Sequence, residues 1–360
     1  MLEAVAAHGL LDDSPSDITP LSDREFSDFV SGCERHRLVG LAGAAARSGA
    51  LPFERSQHQR LEDRLREWLA HGLRAERLTL AAADVLAAAG IEHRILKGIA
   101  LAHTVYPDPA WRVFGDADLL VPADALTTAA HVLGSALGLE RPVGELRQGF
   151  DDRFGKEAML RSREGLELDV HRTFVAGALG LTVHLPDLFD PGHTFTLGEH
   201  RLEMLPPPHL LLHAAYNAVL GDWPPRLIAL RDVAQVLLTC PPADAEVLAL
   251  AHRWQAEAVL ARGLVEAWEV LSPPVSPSLV EWARTYRPRR VERLVLASHL
   301  GRARAYTRHL AALVVLHGGS TRFAYLRAIA WPQPAYLASR GTTRGRFASR
   351  VLARFRRPGP

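Results

Sequence analysis

The stretch that decides the fold is "VFGDADLLV", residues 113 to 121. It reads as a β-strand, in which successive side chains point to opposite faces. Asp116 and Asp118 are two residues apart, so both carboxylates are expected on one face, with Ala117 and Leu119 on the other. The pattern predicts a strand that covers a core with one face and presents two acids on its other face.

The segment just upstream, "RILKGIAL" (94–101), indicates a short strand, a glycine turn and a helix. Lys97 is one of only two lysines among the 42 lysines and arginines of the chain. A compact ammonium at such a turn suits contact with a phosphate, as do the free N–H groups at the beginning of a helix. Lys97 and Gly98 are therefore candidate nucleotide-binding residues.

The segment downstream, "KEAMLRSREGLELDVHRTF" (156–174), predicts a hairpin of two alternating runs joined by "SREG". Glu167, Asp169 and His171 share one face of its second strand, with apolar residues between them. This strand adds a third acid, Asp169, to those of the first.

Three acids on two strands indicate a cation site. Like charges about 6 to 7 Å apart on a strand repel each other, and a shared proton or a bound cation is the usual reason for tolerating them. Mg²⁺ prefers carboxylate oxygens, and two ions roughly 3.5 to 4 Å apart clamp the attacking and leaving oxygens in phosphoryl or nucleotidyl transfer. An isolated D-x-D is most often a pair of solvated acids, so the surrounding pattern carries the prediction.

The two motifs together, "ILKGIALAHTVYPDPAWRVFGDADLLV" (95–121) and "LELDVHRTF" (166–174), resemble the uncharacterised bacterial nucleotidyltransferase family of the DNA polymerase β-like superfamily. The resemblance implies an α+β catalytic core with a small mixed β-sheet. It implies Asp116 and Asp118 as ligands of two Mg²⁺ ions, or Mn²⁺, and Asp169 as third ligand and base. The donor would be an NTP, with ATP as the expected one, and the acceptor is left open.

The turn departs from the wider superfamily, which usually has Gly-Ser there. Lys97 precedes Gly98 and Ile99 follows it, so phosphate binding would fall to the Lys97 ammonium and to N–H groups of the helix N-terminus. Two functions follow. One is a Mg²⁺-dependent transfer of an NMP to a small molecule, peptide, RNA or protein. The other is a catalytically weakened nucleotide-binding or regulatory interaction protein with the same fold.

Four other residues leave alternatives open. Arg112 either contacts phosphate and the acid cluster or forms a structural ion pair. Lys156 either faces the same cleft or is a charge at a strand edge. His171 is a partner of Asp169, a contact for the acceptor or a partly buried hairpin histidine. Asp232, in "LRDVA", either ties helices together or reaches into the cleft.

The chain is expected to have three regions: an N-terminal helical region (1–89), the catalytic core (90–205) and a C-terminal helical domain with a basic tail (206–360). Ser22 and Glu25 form a predicted capping box, and the helical run 56–90 is expected to break near Gly72. The tail, with seven arginines and no acid in 340–357, is either a solvated helix end or a contact for nucleic acid, an acidic partner or anionic lipid.

Composition narrows the protein class. With 48% hydrophobic residues and a net charge of +2, the chain is globular, and its overall charge does not by itself indicate a nucleic-acid partner. Cys33 and Cys240 lie far apart without metal-type spacing, which makes a disulfide framework improbable. No secretory pattern and no apolar run of about 20 residues is present. We expect a cytoplasmic protein without a transmembrane segment, and the preference for arginine is typical of GC-rich bacterial genomes.

Overall fold

The acid-bearing strands belong to one mixed β-sheet. The structure, a computed structural model, describes residues 1–10, 20–189, 192–222, 224–301 and 304–346. The strands in these ranges are β1 (Arg94–Ile95), β2 (Asp116–Leu120), β3 (Glu157–Arg161), β4 (Glu167–His171), β5 (His193–Leu197) and β6 (His200–Met204). Their order across the sheet is β3-β4-β2-β1-β6-β5.

Helices precede the strands in the chain, connect some of them and follow them. Before and between the strands they are α1 (Leu2–Ala7), α2 (Asp23–His36), α3 (Val39–Arg47), α4 (Arg55–Ala88), α5 (Lys97–Thr104), α6 (Leu126–Leu137), α7 (Phe150–Phe154) and α8 (Ala178–Leu181). After the strands they are α9 (Pro207–Leu220), α10 (Leu227–Thr239), α11 (Asp244–Arg253), α12 (Glu257–Leu271), α13 (Ser278–Thr285), α14 (Arg290–His299), α15 (Arg304–Val315), α16 (Gly319–Ala330) and α17 (Pro334–Ser339). The expected α+β class, a small mixed sheet flanked by helices, is confirmed.

The strand pairing places the acids side by side. β2 is parallel to β4, and the register pairs Asp116 with Glu167 and Asp118 with Asp169. β3 and β4 form the antiparallel hairpin expected from the sequence. On the opposite face, Ala117 and Leu168 are fully buried, and α4, α5 and α6 pack against the strands. The alternation read from the sequence therefore holds: one face is core and the other carries the acids.

The expected break in the long helical run is wrong, because α4 continues without interruption from Arg55 to Ala88. A glycine inside a helix costs only about 1 kcal/mol, which tertiary packing readily offsets. A Cβ at Gly72 would lie 3.6 Å from the Phe114 ring, so this glycine packs against the residue that leads into β2. At the other end of the region, the predicted capping box between Ser22 and Glu25 is confirmed.

The expected glycine turn after β1 is also wrong. The chain passes from β1 to α5 through Leu96 alone, and Lys97 is the first helical residue. A Cβ on Gly98 would lie 2.7 Å from the Phe114 Cβ, so glycine is needed here for close packing. The positive φ, +39°, belongs to Lys97 instead, a conformation that costs a residue with a Cβ some strain.

The described strands all lie between residues 94 and 204, and the described elements on either side are helices. The three regional boundaries themselves stay predictions. Of the basic tail, 347–357 lies outside the described residues. None of the described helices is both long and apolar enough to cross a membrane.

Candidate active site

Asp118 is the centre of a buried charged group. Its side chain is 3% exposed, and its Oδ1 atom accepts two hydrogen bonds of 2.7 Å, one from Lys97 Nζ and one from His171 Nε2. Each partner comes from a different element: β2 carries Asp118, the start of α5 carries Lys97, and the end of β4 carries His171. The structure thus places Lys97 and His171 beside Asp118, and their roles in a site stay predictions.

Asp169 lies beside Asp118 on β4 and is not neutralised in the same way. Its Oδ1 atom is buried without a hydrogen-bond partner. Burial, together with the nearby charges of Glu157 and Asp118, raises the pKa of Asp169 to about 7. A buried carboxylate with a spare oxygen and a pKa near neutrality is suited to take up either a cation or a proton.

The pKa values of the other members of the group are shifted in different directions. Burial alone would raise the pKa of Asp118, but the Lys97 ammonium and the His171 hydrogen bond hold that pKa well below its usual range. Burial would lower the pKa of Lys97, and Asp118 overrides it so that the pKa is raised. Burial and the Lys97 charge lower the pKa of His171. A neutral His171 that donates Nε2–H to Asp118 leaves its Nδ1 lone pair available.

Glu157 is a member that the sequence reading missed. Its Oε2 atom lies 3.3 Å from His171 Nδ1 and 2.5 Å from Lys156 Nζ. The hairpin register pairs Glu157 directly with His171 because the turn takes five residues, 162–166, whereas counting outward from the four residues "SREG" would pair Glu157 with Val170. We call Lys97, Asp118, Glu157, Asp169 and His171 the site cluster. Lys156 lies at its edge, 27% exposed.

Three residues of the site cluster have the chemistry of a metal site. Ligand atoms of Asp118, Asp169 and His171 lie within 4.8 Å of one another. The unpartnered Asp169 oxygen supports the fit, since an orphaned buried oxygen gains most from a cation. Two carboxylates and one imidazole suit a divalent ion that accepts both oxygen and nitrogen ligands.

Asp116 lies outside this set of ligand atoms. Its side chain is 31% exposed, and its Oδ1 atom is 3.3 Å from Nη1 of Arg37, at the end of α2. Arg37 has a φ of +56° at a helix C-cap position where glycine is the usual residue. No sequence pattern pointed to Arg37, because it lies 79 residues away from its partner. The role of Asp116 as a ligand stays a prediction.

Arg112 forms the ion pair that was one of its two sequence alternatives. Its Nε and Nη2 atoms donate to the two carboxylate oxygens of Asp232 at 2.8 Å each, and its Nη1 atom donates to the Val113 carbonyl. Tyr106 also donates to Asp232, at 2.7 Å. We call Arg112, Asp232 and Tyr106 the anchor cluster. It ties α10 to the segment before β2, as the structural alternative for Asp232 expected. A phosphate contact by Arg112 stays untested, with every guanidinium nitrogen already engaged.

The site thus combines a parallel pair of strands that carry facing carboxylates with a helix that begins with a lysine. The family model described as "uncharacterised nucleotidyltransferase" matches residues 22–272. The chain therefore belongs to this family of uncharacterised nucleotidyltransferases.

Among solved structures, the chain is similar to an antigenic nucleotidyltransferase-like protein from Paracoccidioides brasiliensis, with 20% sequence identity and a TM-score of 0.33. The match covers 56% of this chain and 95% of that one. A similarity of this size carries no argument about the site. A search among curated proteins finds no match.

Proposed function

We propose that the protein transfers an NMP from an NTP, with ATP as the expected donor, to an acceptor group and releases pyrophosphate. The observation that carries the proposal is the register of β2 and β4, which sets Asp118 beside Asp169, with one carboxylate held by Lys97 and His171 and the other left with a free oxygen. Membership of a nucleotidyltransferase family supports the same reaction class.

The residues have distinct parts in this reaction. Asp118, Asp169 and His171 would hold the metal, Mg²⁺ or Mn²⁺, with Asp116 as a further carboxylate on the same face. When bound, such an ion neutralises charge on the α-phosphate and the leaving pyrophosphate. Asp169 takes the proton from the acceptor as the acceptor atom bonds to the α-phosphorus and the bond from that phosphorus to pyrophosphate breaks. One proton is transferred to Asp169, and pyrophosphate leaves with the electron pair.

Lys97 and the start of α5 would bind the phosphates of the donor. The Lys97 ammonium lies at the first residue of the helix, beside N–H groups that are free of intrahelical partners. Both features favour an anion at this place. Gly98 contributes indirectly, because its lack of a side chain lets α5 approach Phe114 and fixes the position of Lys97 next to β2.

The test uses purified protein with NTPs labelled at the α-phosphate, Mg²⁺ or Mn²⁺, and a cell extract as a source of acceptors. We expect label transfer with release of pyrophosphate, and loss of both in the Asp118→Ala/Asp169→Ala variant. A matched variant, Asp124→Ala, removes a carboxylate from the turn after β2 and should keep activity. Equal labelling by the double variant and the wild type would contradict the proposal.

A second candidate is a nucleotide-binding module without turnover. The observation that favours it is the Lys97–Asp118 pair at 2.7 Å, since a lysine paired with a carboxylate is an internal substitute for a cation. Calorimetry separates the two candidates. Nucleotide binding that does not respond to Mg²⁺ or Mn²⁺, without release of pyrophosphate, would favour the binding module.

A further inference from the structure

A cleft of about 490 Å³ opens beside Asp116, at the ends where β2 and β4 begin. Arg37 and a row of α4 side chains, Trp68, His71 and Arg74, form its wall, and Gly115 and Glu167 form its floor. The volume falls within the range of small-molecule sites, about 300 to 1,000 Å³. The sequence pattern did not indicate a site here, because its wall comes from the N-terminal helices.

The cleft lies on the acceptor side of the proposed reaction. In the sheet, β2 lies between β1 and β4. Lys97 follows β1, whereas Gly165 and Glu167, at the beginning of β4, line the cleft. In transfer of a phosphorus group, the attacking and leaving oxygens lie roughly in line on opposite sides of the phosphorus. With the triphosphate at Lys97, the attacking group therefore arrives from the side of β4.

The charges of the cleft leave one cation without a partner. Arg64 pairs with Glu34 and Glu67, and Glu167 pairs with Arg161. Each acid of the wall and floor therefore has a cationic partner, although Glu34 and Glu67 share the single charge of Arg64. Among the residues that the structure describes, Arg74 has no ion pair, and its Nε atom makes only a hydrogen bond of 3.3 Å to the Ala70 carbonyl. The Arg74 guanidinium, rather than any net charge of the cleft, is therefore what an anionic ligand would meet.

Specific contacts hold the wall next to Arg74 in place. His71 Nε2 lies 2.8 Å from the Gly115 carbonyl and fixes α4 to the residue before Asp116. The Arg37 guanidinium lies 5.9 Å from the centre of the half-buried Trp68 ring and also contacts Asp116. Arg37 keeps a side chain at a left-handed position, φ +56°, where glycine would be unstrained. Arg37 thus joins the cleft to the acid face.

We infer that this cleft binds the acceptor, and that the acceptor presents an anionic group, phosphate or carboxylate, to Arg74. The identification of the ligand as the acceptor rests on the proposed function, whereas the anion site itself is a property of the cleft. Arg74 recognises the anion and Trp68 packs against the body of the molecule. The nucleophilic group of the acceptor then points along the floor toward Asp116 and Asp169.

The test is an anion titration of the full chain by calorimetry. The protein is first loaded with Mg²⁺ and an ATP analogue that has a methylene group between the α- and β-phosphorus, so that the donor side is filled. Inorganic phosphate is titrated in one arm and acetate in the other, which distinguishes the two acceptor chemistries. Arg74→Glu is compared with Arg77→Glu, a matched exchange at an exposed arginine on the same helix that does not line the cleft.

We expect one anion site in the loaded wild type, weakened about tenfold or more by Arg74→Glu, as for loss of a charge-assisted hydrogen bond, and nearly unchanged by Arg77→Glu. The inference is overturned if neither anion binds, or if both variants weaken binding equally, which would indicate general surface charge. Failure of the analogue to bind counts against the proposed function instead. The anion titrations of the two variants, repeated without the analogue, still test the anion site.

Discussion

The protein contains two buried charged clusters of opposite construction. In the anchor cluster, the Arg112 nitrogens, both Asp232 oxygens and the Tyr106 hydroxyl all have partners. In the site cluster, Asp169 Oδ1 and His171 Nδ1 are buried without hydrogen bonds. Complete pairing is what stability requires of a buried charge, and incomplete pairing is tolerated where a ligand is to be bound. The comparison supports a folding role for the anchor cluster and is consistent with the proposed chemical role of the site cluster.

The largest expected effect is on activity at the site cluster. Asp169→Asn keeps the shape of the side chain but removes the charge and the proton acceptor, so we expect NMP transfer to fall by about 10⁴-fold, the scale seen for residues that act directly on the reacting atoms. The measurement is the initial rate of pyrophosphate release. A fall of only a few-fold would remove Asp169 from the chemistry.

The anchor cluster should respond in stability instead. Asp232→Asn leaves the Arg112 charge buried without its counterion, so the free energy of unfolding should drop by about 3–5 kcal/mol, measured by denaturant titration. The double variant Arg112→Met/Asp232→Leu removes both charges and should recover most of that loss. If the double variant is as unstable as the single one, the cluster is not an isolated ion pair.

The site cluster should gain stability from a change that harms activity. In the presence of EDTA, Asp169→Asn should raise the free energy of unfolding at pH 8 by about 1–2 kcal/mol, because it removes a carboxylate held next to Glu157 and Asp118. The control is Asp116→Asn, a carboxylate paired with Arg37, which should give no gain.

The pH dependence of this gain has a defined sign. The folded-state pKa of Asp169, about 7, lies above its ordinary value of 3.8, so folding favours the protonated form. That contribution is complete below the ordinary value and is lost as the pH rises through the folded-state pKa. Wild type and Asp169→Asn should therefore have equal stability near pH 4 and diverge toward pH 8. Divergence in the opposite direction would contradict the assigned environment.

The smallest expected effect distinguishes Lys97 from Lys156. Lys97→Arg should raise the Michaelis constant for the NTP about tenfold with little change in thermal midpoint, because a guanidinium is bulkier and differently shaped at the same phosphate. Lys156→Arg, at the edge of the cluster, should change the constant much less. An unchanged Michaelis constant and rate in Lys97→Arg would exclude Lys97 from the donor site.

The arrangement of the strand residues in the site cluster could largely be predicted from the sequence, because it depends on local periodicity. The period of two fixed which side chains of 116–120 and 167–171 share a face, and the hairpin loop fixed the order of β3 and β4. These are contacts for which spacing along the chain determines direction in space. The resemblance supplied the small mixed sheet, whereas the pairing of β2 with β4 is seen only in the structure.

The parts that sequence reasoning missed depend on long-range packing. Arg37 meets Asp116 across 79 residues and Arg112 meets Asp232 across 120, and no periodicity links such positions. Gly98 looked like a turn residue, whereas its conformation is helical and its requirement is the contact with Phe114. The break expected at Gly72 failed for a similar reason, since packing along α4 outweighs the propensity of one glycine.

The continuity of α4 has a consequence for how members of such a family diverge. Between Arg64 and Arg74, a rise of 1.5 Å per residue makes the wall of the cleft about 15 Å long. Its side chains recur on one face of the helix, while Leu61, Leu65 and Ala75 on another face are buried in the core. Under the proposed function, exchanges at Arg64, Glu67 and Arg74 would alter acceptor recognition without touching these core residues, whereas His71 must stay because it holds α4 to the residue before β2.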